Sequence, residues 1–174
     1  MILTLGRIGT PLGDLLVATD AQGRIWSCEY ADLLERLHRL LARRGEYVLE
    51  PGPVPQGVEQ AVARYFNGDL AAIQALPVML AGTPFQMLAW NALRTIPAGQ
   101  PATYAGQAMR MGRPKAARAV GHANHDNPVQ IIVPCHRVIG ASGALTGYAG
   151  GLARKRWLLD HEDTHAPRSS PRLI

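Results

Sequence analysis

Cysteine is scarce in this chain, with only Cys28 and Cys135 among 174 residues. Two thiols cannot build the multi-bridge framework of a small secreted domain, so the fold must rest on a packed core, and the length suffices for one core or two small domains. Long apolar runs are missing as well. No stretch approaches the ~20 apolar residues that cross a bilayer. The opening MILTLGRIGT has neither a basic leader nor the apolar run of a secretory signal. Together these absences predict a cytoplasmic protein, or a nuclear one where the host has a nucleus, with no membrane contact. Metal-ligand spacing is lacking too: Cys28, His38, His122, His125, His136, His161 and His165 form no CxxC or HExxH pattern, so no metal site is expected. Acid is nearly absent from one region. Residues 81–157 hold nine Lys/Arg against a single acid, Asp126, whereas residues 1–80 hold seven Arg against nine acids. That asymmetry is the electrostatic footprint of a polyanionic partner, although a solvated basic face would look the same. There is no internal repeat.

What is present divides the same way. Residues 1–30 alternate short apolar runs with the turn signals TPLG and DAQG, which predicts a small antiparallel sheet. Asp32, with Glu35 three residues later, resembles a capping box opening a helix whose apolar face is Leu33, Leu34, Leu37, Leu40 and Leu41, stopped at Gly45. PGPVPQ reads as a loop. A second helix presents Val58, Ala61, Val62, Tyr65 and Phe66, and residues 70–82 read as a connector. Thr83, Pro84 and Gln86 carry a helix start, with Phe85, Leu88, Ala89, Ala92 and Leu93 as its apolar face. Two short helices follow, one after Thr103 and one from Pro114, in a helix-turn-helix pattern. The second bears small residues on nearly every turn around one long cation, Arg118. VQIIV reads as a short buried strand, GASGALTGYAGG as a glycine-rich loop, and GLARKRWLLDHE as a helix carrying a solvated Arg154–Lys155–Arg156 patch. Trp26, Trp90 and Trp157 read as core anchors, and Met109 and Met111 as packing residues. The expected fold is α/β (α+β). Residues 1–80 form an N-terminal sheet-and-helix domain. A mostly helical C-terminal domain, 81–165, contains the helix-turn-helix and a strand leading to Cys135, and 166–174 are a tail.

The stretch IIVPCHRVIG places a cysteine beside a histidine at the end of that strand. A buried structural thiol is the plainer reading of a lone cysteine. As a nucleophile it would need to be a thiolate, and a free pKa of about 8.5 leaves little thiolate at neutral pH without a base nearby. Adjacent side chains point apart on a strand or helix, so a direct Cys135–His136 bond is not expected unless the chain turns tightly there. Asp160 and Glu162 are available to orient the histidine. No hydrolase signature and no resolving cysteine lie close by.

The run RAVGHANHDNPVQIIVPCHRVIGASGALTGYAGGLARKRWLLDHE, with LRTIPAGQ and GRPKAARAVG before it, resembles the active-site region of the O6-alkylguanine-DNA alkyltransferases over residues 83–162. The resemblance implies transfer of an alkyl group from O6 of guanine, and from O4 of thymine, to Cys135, without a metal or organic cofactor. It implies His136 as a water-mediated base oriented by Glu162, Asn127 as the bridge between DNA-binding and active-site elements, and Tyr104 as a group acting on the target phosphate and the leaving base. Arg118 would enter the base stack. Thr103, Arg113, Lys115, Ala117 and Gly121 would face the DNA, and Arg137, Val138, Tyr148 and Ala149 would line the base pocket. Ala149 stands where some members carry a serine. The implied partner is double-stranded DNA containing O6-alkylguanine, bound by a monomer. A DNA-binding sensor with a structural cysteine remains the alternative, separated from the enzyme by whether Cys135 changes covalently.

Overall fold

The computed structural model describes residues 1–167, so the tail expected over 166–174 lies, from residue 168 on, outside the described residues. Strands β1 (Ile2–Ile8), β2 (Leu15–Thr19) and β3 (Ile25–Tyr30) pair antiparallel, as the alternation and turn signals predict. Gly13 and Gly23 close the two turns with φ of 98° and 75°, a region that glycine enters without a Cβ clash. A fourth strand, β4 (Val48–Pro51), joins β1 in parallel, so the sheet is mixed, in the order β3-β2-β1-β4. It escapes the sequence reading because it is a short, largely exposed edge strand ending in proline, with no buried stripe to betray it.

β2 is buried along its whole length because both faces of the sheet are covered. Leu16 and Ala18 pack with Leu37 and Leu41 of α1 (Leu34–Ala42), while Leu15 and Val17 enter the main core with α2 (Gln56–Phe66) and the second half of the chain. The Asp32–Glu35 capping box does not form. A 3₁₀ turn, Ala31–Leu33, precedes α1, no side chain caps it, and Asp32 pairs with Arg154 at 2.9 Å instead. Leu34 is 41% exposed, and its expected place on the buried face is taken by Arg36. The connector 70–82 is not a plain loop: Val78 forms a parallel bridge with Ile25 on the outer edge of β3.

α3 (Pro84–Leu93) carries the predicted capping box between Thr83 and Gln86. Its buried face differs from the one expected: Leu88 is 44% exposed, and Trp90 is buried with its indole N–H donating to the Ala123 carbonyl at 2.8 Å. Trp26 and Trp157 are only half-buried. The first lies under the Arg44 guanidinium and the second stacks on His161. α4 (Tyr104–Arg110) and α5 (Ala117–His125) pack on α3 and on each other, locked by a reciprocal amide pair between buried Gln107 and Asn124 at 3.0 and 2.7 Å. α5 starts at Ala117 rather than Pro114, and Met109 is 69% exposed rather than packed. Strand β5 (Ala102–Thr103) pairs in parallel with β6 (Val138–Ile139), and α6 (Leu152–His165) closes the chain. None of the described helices is long and apolar enough to cross a membrane.

VQIIV is buried but is not a strand. Val129 alone bridges to Cys28, and Ile131 adopts φ of 70°, which no extended strand permits. The backbone instead folds on itself, with Ile132 N–H donating to Gln130 O at 2.8 Å and Val133 N–H to Val129 O at 3.0 Å. A β-branched residue in that region costs about 1–3 kcal/mol, so the surrounding packing must hold it. The edge of β3 does part of this: Cys28 N–H donates to Pro128 O and Cys28 O accepts from Gln130 N–H.

Candidate active site

Cys135 opens a three-residue 3₁₀ turn, Cys135–Arg137, directly after Pro134. Successive side chains on such a turn diverge by about 120°, which resolves the adjacency of Cys135 and His136. Each finds its own partner. The thiol accepts the Asn127 Nδ2 hydrogen at 3.3 Å. Asn127 is wholly buried. The same nitrogen donates to Val133 O at 2.7 Å, its Oδ1 accepts from Val129 N–H at 3.0 Å, and its own carbonyl accepts from Arg36 at 3.1 Å. One amide therefore ties the residue ahead of the folded segment to the cysteine at its end. Burial pushes the Cys135 pKa up, against the Asn127 hydrogen bond and the more distant charges of Arg36 and Lys155. The resting group is a neutral thiol.

His136 turns the other way, with Nε2 2.8 Å from Oε1 of Glu162 on α6. Both residues are completely buried. Glu162 also accepts from Arg137 Nε (2.9 Å) and Nη2 (2.8 Å) and from the Tyr65 hydroxyl (2.7 Å). Burial works against this carboxylate, but the hydrogen bonds it accepts from His136 and Arg137, with the Arg137 charge, outweigh it and hold its pKa well below the usual range. A carboxylate facing Nε2 fixes the proton there and leaves Nδ1 as an acceptor. Nδ1 is buried and has no partner among the described residues. Arg137, expected in the base pocket, has its remaining Nη1 on the Ile96 carbonyl at 2.8 Å, so it serves as the counter-ion of Glu162 and not as a pocket wall. A fully buried anion demands such a partner.

On the other side of Cys135, Val138 is buried in β6, Tyr148 is buried at the end of the glycine-rich loop, and Ala149 is half-buried beside it. The Tyr148 hydroxyl lies 3.0 Å from that of Tyr30, whose ring carries the Arg154 guanidinium 4.0 Å from its centroid. Lys155 is 1% exposed and not part of a solvated patch. Its ammonium donates to Val138 O at 2.5 Å and Thr146 O at 2.8 Å, pinning the loop to β6, and burial lowers its pKa. Tyr104, the first residue of α4, donates to Thr146 O at 3.2 Å, with its ring against Gly121 of α5.

Of the expected DNA-facing set, Arg118 lies exposed on α5, on one face with His122 and His125, and Arg113 and Lys115 are exposed on the turn before it. Ala117 and Gly121 are half-buried on the same helix. The Thr103 hydroxyl is the N-cap of α4, accepting from Gly106 N–H at 3.0 Å. No group of three or more potential metal ligands occurs among the described residues.

Sequence reasoning missed four contributors. Tyr65 looked like a core aromatic and Tyr30 carried no signal of its own, and nothing in a pattern reveals where a buried hydroxyl ends. Lys155 looked like surface charge. Arg36 did leave a signal, a cation on the leucine face of α1. It pairs with the buried Glu29 and donates to the carbonyls of His125 and Asn127.

Comparison with known proteins shows the family. The family described as 6-O-methylguanine DNA methyltransferase, DNA-binding domain, matches residues 84–164. The methylated-DNA--protein-cysteine methyltransferase of Salmonella typhimurium is 50% identical over 159 residues, covering 90% of this chain and 93% of the relative. The crystal structure of Mycobacterium tuberculosis OGT in complex with DNA is 38% identical and superposes with a TM-score of 0.77 over 95% of this chain and 96% of the other. The O6-methylguanine-DNA methyltransferase of Pyrococcus kodakaraensis, 26% identical, gives 0.73 over 92% and 98%. The chain therefore belongs to the methylated-DNA--protein-cysteine methyltransferases, DNA-binding enzymes that repair DNA by alkyl transfer.

Proposed function

We propose that this enzyme repairs O6-alkylguanine in double-stranded DNA, and O4-alkylthymine, by moving the alkyl group irreversibly onto Cys135, once per molecule and as a monomer. The observation that carries this reading is the buried Cys135–Arg137 turn. It sets a thiol held by Asn127 next to a histidine whose Nε2 is held by Glu162 and whose Nδ1 is left as an acceptor. The thiol proton passes through a water to Nδ1, and the Glu162 carboxylate stabilises the imidazolium that forms. The thiolate attacks the alkyl carbon. The S–C bond forms as the C–O6 bond breaks, its electron pair goes to O6, and the leaving guanine takes up a proton from Tyr104, whose hydroxyl turns from the Thr146 carbonyl and regains a proton from the imidazolium by way of solvent. The product is a thioether, which unlike an acyl-enzyme has no hydrolysable carbonyl, so the protein is consumed.

O6 is enclosed in the base pair, so the nucleotide leaves the duplex, at a cost of a few kcal/mol that a damaged pair reduces. Arg118 fills the gap from the exposed face of α5. The small residues Ala117 and Gly121 let that helix lie against the minor groove. Arg113, Lys115 and Thr103 serve the phosphates, and Val138, Tyr148 and Ala149 line the pocket for the extruded base. Residues 81–165 form the DNA-binding and transfer unit. The test is intact mass after mixing with excess O6-methylguanine duplex, with Cys135→Ser alongside. The expected result is a gain of one CH2 per molecule and no more, mapped to Cys135 and absent in the variant. Salt-sensitive binding without a mass change would leave a lesion sensor and remove the catalytic assignments.

A further inference from the structure

We propose that Tyr65, a residue of α2 far from the active-site turn in sequence, is a positioning residue that sets the proton affinity of the catalytic histidine through Glu162. This rests on the reading of His136 and Glu162 as the base pair of the transfer reaction.

The argument starts from the geometry of one oxygen. Glu162 Oε1 accepts three hydrogen bonds, from Tyr65 (2.7 Å), His136 Nε2 (2.8 Å) and Arg137 Nη2 (2.8 Å). Oε2 accepts from Arg137 Nε at 2.9 Å. Tyr65 and His136 therefore compete for the charge density of the same atom. Each donor on Oε1 withdraws negative charge that would otherwise stabilise an imidazolium. The tyrosine hydroxyl keeps the carboxylate a weaker partner, so His136 holds the thiol proton less tightly and stays neutral, ready to accept it, at lower pH.

Tyr65 is built to do this. It is 0% exposed. Its ring is gripped edge-on by Phe66 (5.3 Å between centroids, 84°) and by His161 (5.4 Å, 64°), and its carbonyl meets His161 Nε2 at 2.8 Å. The hydroxyl therefore has one place to go. Burial and the neighbouring Glu162 charge both push the phenol pKa up, so it acts as a donor throughout the working range. The other titratable groups around these residues are Arg137 on the same turn, Cys135 before it, Tyr30 on β3, and Lys155 and His161 on α6. The turn after α3 offers the Ile96 carbonyl to Arg137. Among the donors to Glu162, Tyr65 alone can be stripped of its hydrogen bond by removal of a single oxygen without loss of a charge.

The experiment is the pH profile of single-turnover methyl transfer from an O6-methylguanine duplex by the full chain, for wild type, Tyr65→Phe, Phe66→Leu and Glu162→Gln. The wild-type rate should fall below an acid limb where His136 takes up a proton. Tyr65→Phe should move that limb upward by about half a unit to one unit, while the plateau changes by less than about threefold. Phe66→Leu loosens the same packing without touching Oε1, so it should lower Tm and leave the limb in place. Site-specific 3-fluorotyrosine at position 65, a stronger donor that keeps the hydroxyl, should move the limb downward, and it serves as the decisive variant if Tyr65→Phe does not fold. A limb that stays put in both Tyr65 variants overturns the positioning role. If Glu162→Gln transfers at the wild-type rate across the whole pH range, it is the base-pair reading itself that fails.

Discussion

Replacement of Asn127 by alanine removes three hydrogen bonds from the segment that holds the nucleophile. The Val133 carbonyl keeps a second donor, Cys135 N–H at 2.9 Å. The buried Val129 N–H loses its acceptor, Asn127 Oδ1, and an unpartnered buried group of that kind costs about 1–3 kcal/mol. With roughly 1 kcal/mol more for the Val133 bond, the loss comes to about 2–4 kcal/mol, and at ~2–4 °C per kcal/mol for a chain of this size Tm should fall by roughly 5–15 °C. A second effect falls on the rate. The Asn127 N–H on Cys135 Sγ is a weak contact with a neutral thiol and a charge-assisted one with the thiolate. Bonds to charged groups contribute about 1.5–3 kcal/mol, which predicts transfer slower by roughly ten- to hundredfold. Thermal melts by circular dichroism and quenched-flow transfer from an O6-methylguanine duplex, run well below the variant's Tm, separate the two effects. A lowered Tm with an unchanged rate would refute the role of this donor in stabilising the thiolate. An unchanged Tm would refute the bridging role of the side chain.

The Glu162 pKa lies below the ordinary glutamate value of 4.5, so its contribution to stability is complete above about pH 4.5 and is lost as pH falls further. The Tm difference between wild type and Glu162→Gln, measured against pH, should therefore shrink below that point; a difference independent of pH would contradict the ion-paired assignment. Arg118→Ala removes an exposed cation, so duplex repair should slow more than reaction with free O6-benzylguanine, and equal losses on both substrates would count against a role in the base stack. A Cβ at Gly150 would sit 2.5 Å from Tyr30 Cε2 and 2.7 Å from Tyr148 Cε1. Gly150→Ala should thus cost about 1–3 kcal/mol of stability by overpacking and slow reaction with bulky alkyl groups more than with methyl, as parallel melts and transfer rates would register.

Local signals were enough for much of this fold. Turn residues and alternation located β1 to β3, the Thr83–Pro84–Gln86 signature located α3, and the family motifs singled out Cys135, His136, Asn127 and Glu162 by number. The strands and α3 depend on residues within a few positions of one another, where stereochemistry and capping act without help, whereas the four site residues come from the family resemblance. The exceptions share a cause. VQIIV has the composition of a strand, yet it folds into a turn with Ile131 at positive φ because β3 and the Asn127 amide hold it there, and neither contact is local. Lys155 and Arg137 carry the composition of a basic surface. Only the tertiary structure decides that one is buried on two carbonyls and the other on Glu162. Tyr65, Tyr30 and Arg36 lie in the first half of the chain and reach the site across roughly 90 to 120 residues of sequence separation. The sequence by itself determined which groups were available for the chemistry and which short elements would carry them. Which buried polar atoms meet was decided by the packing of the sheet and α2 against the second half, because an unpartnered buried charge or hydroxyl is costly and each one selects the arrangement that satisfies it.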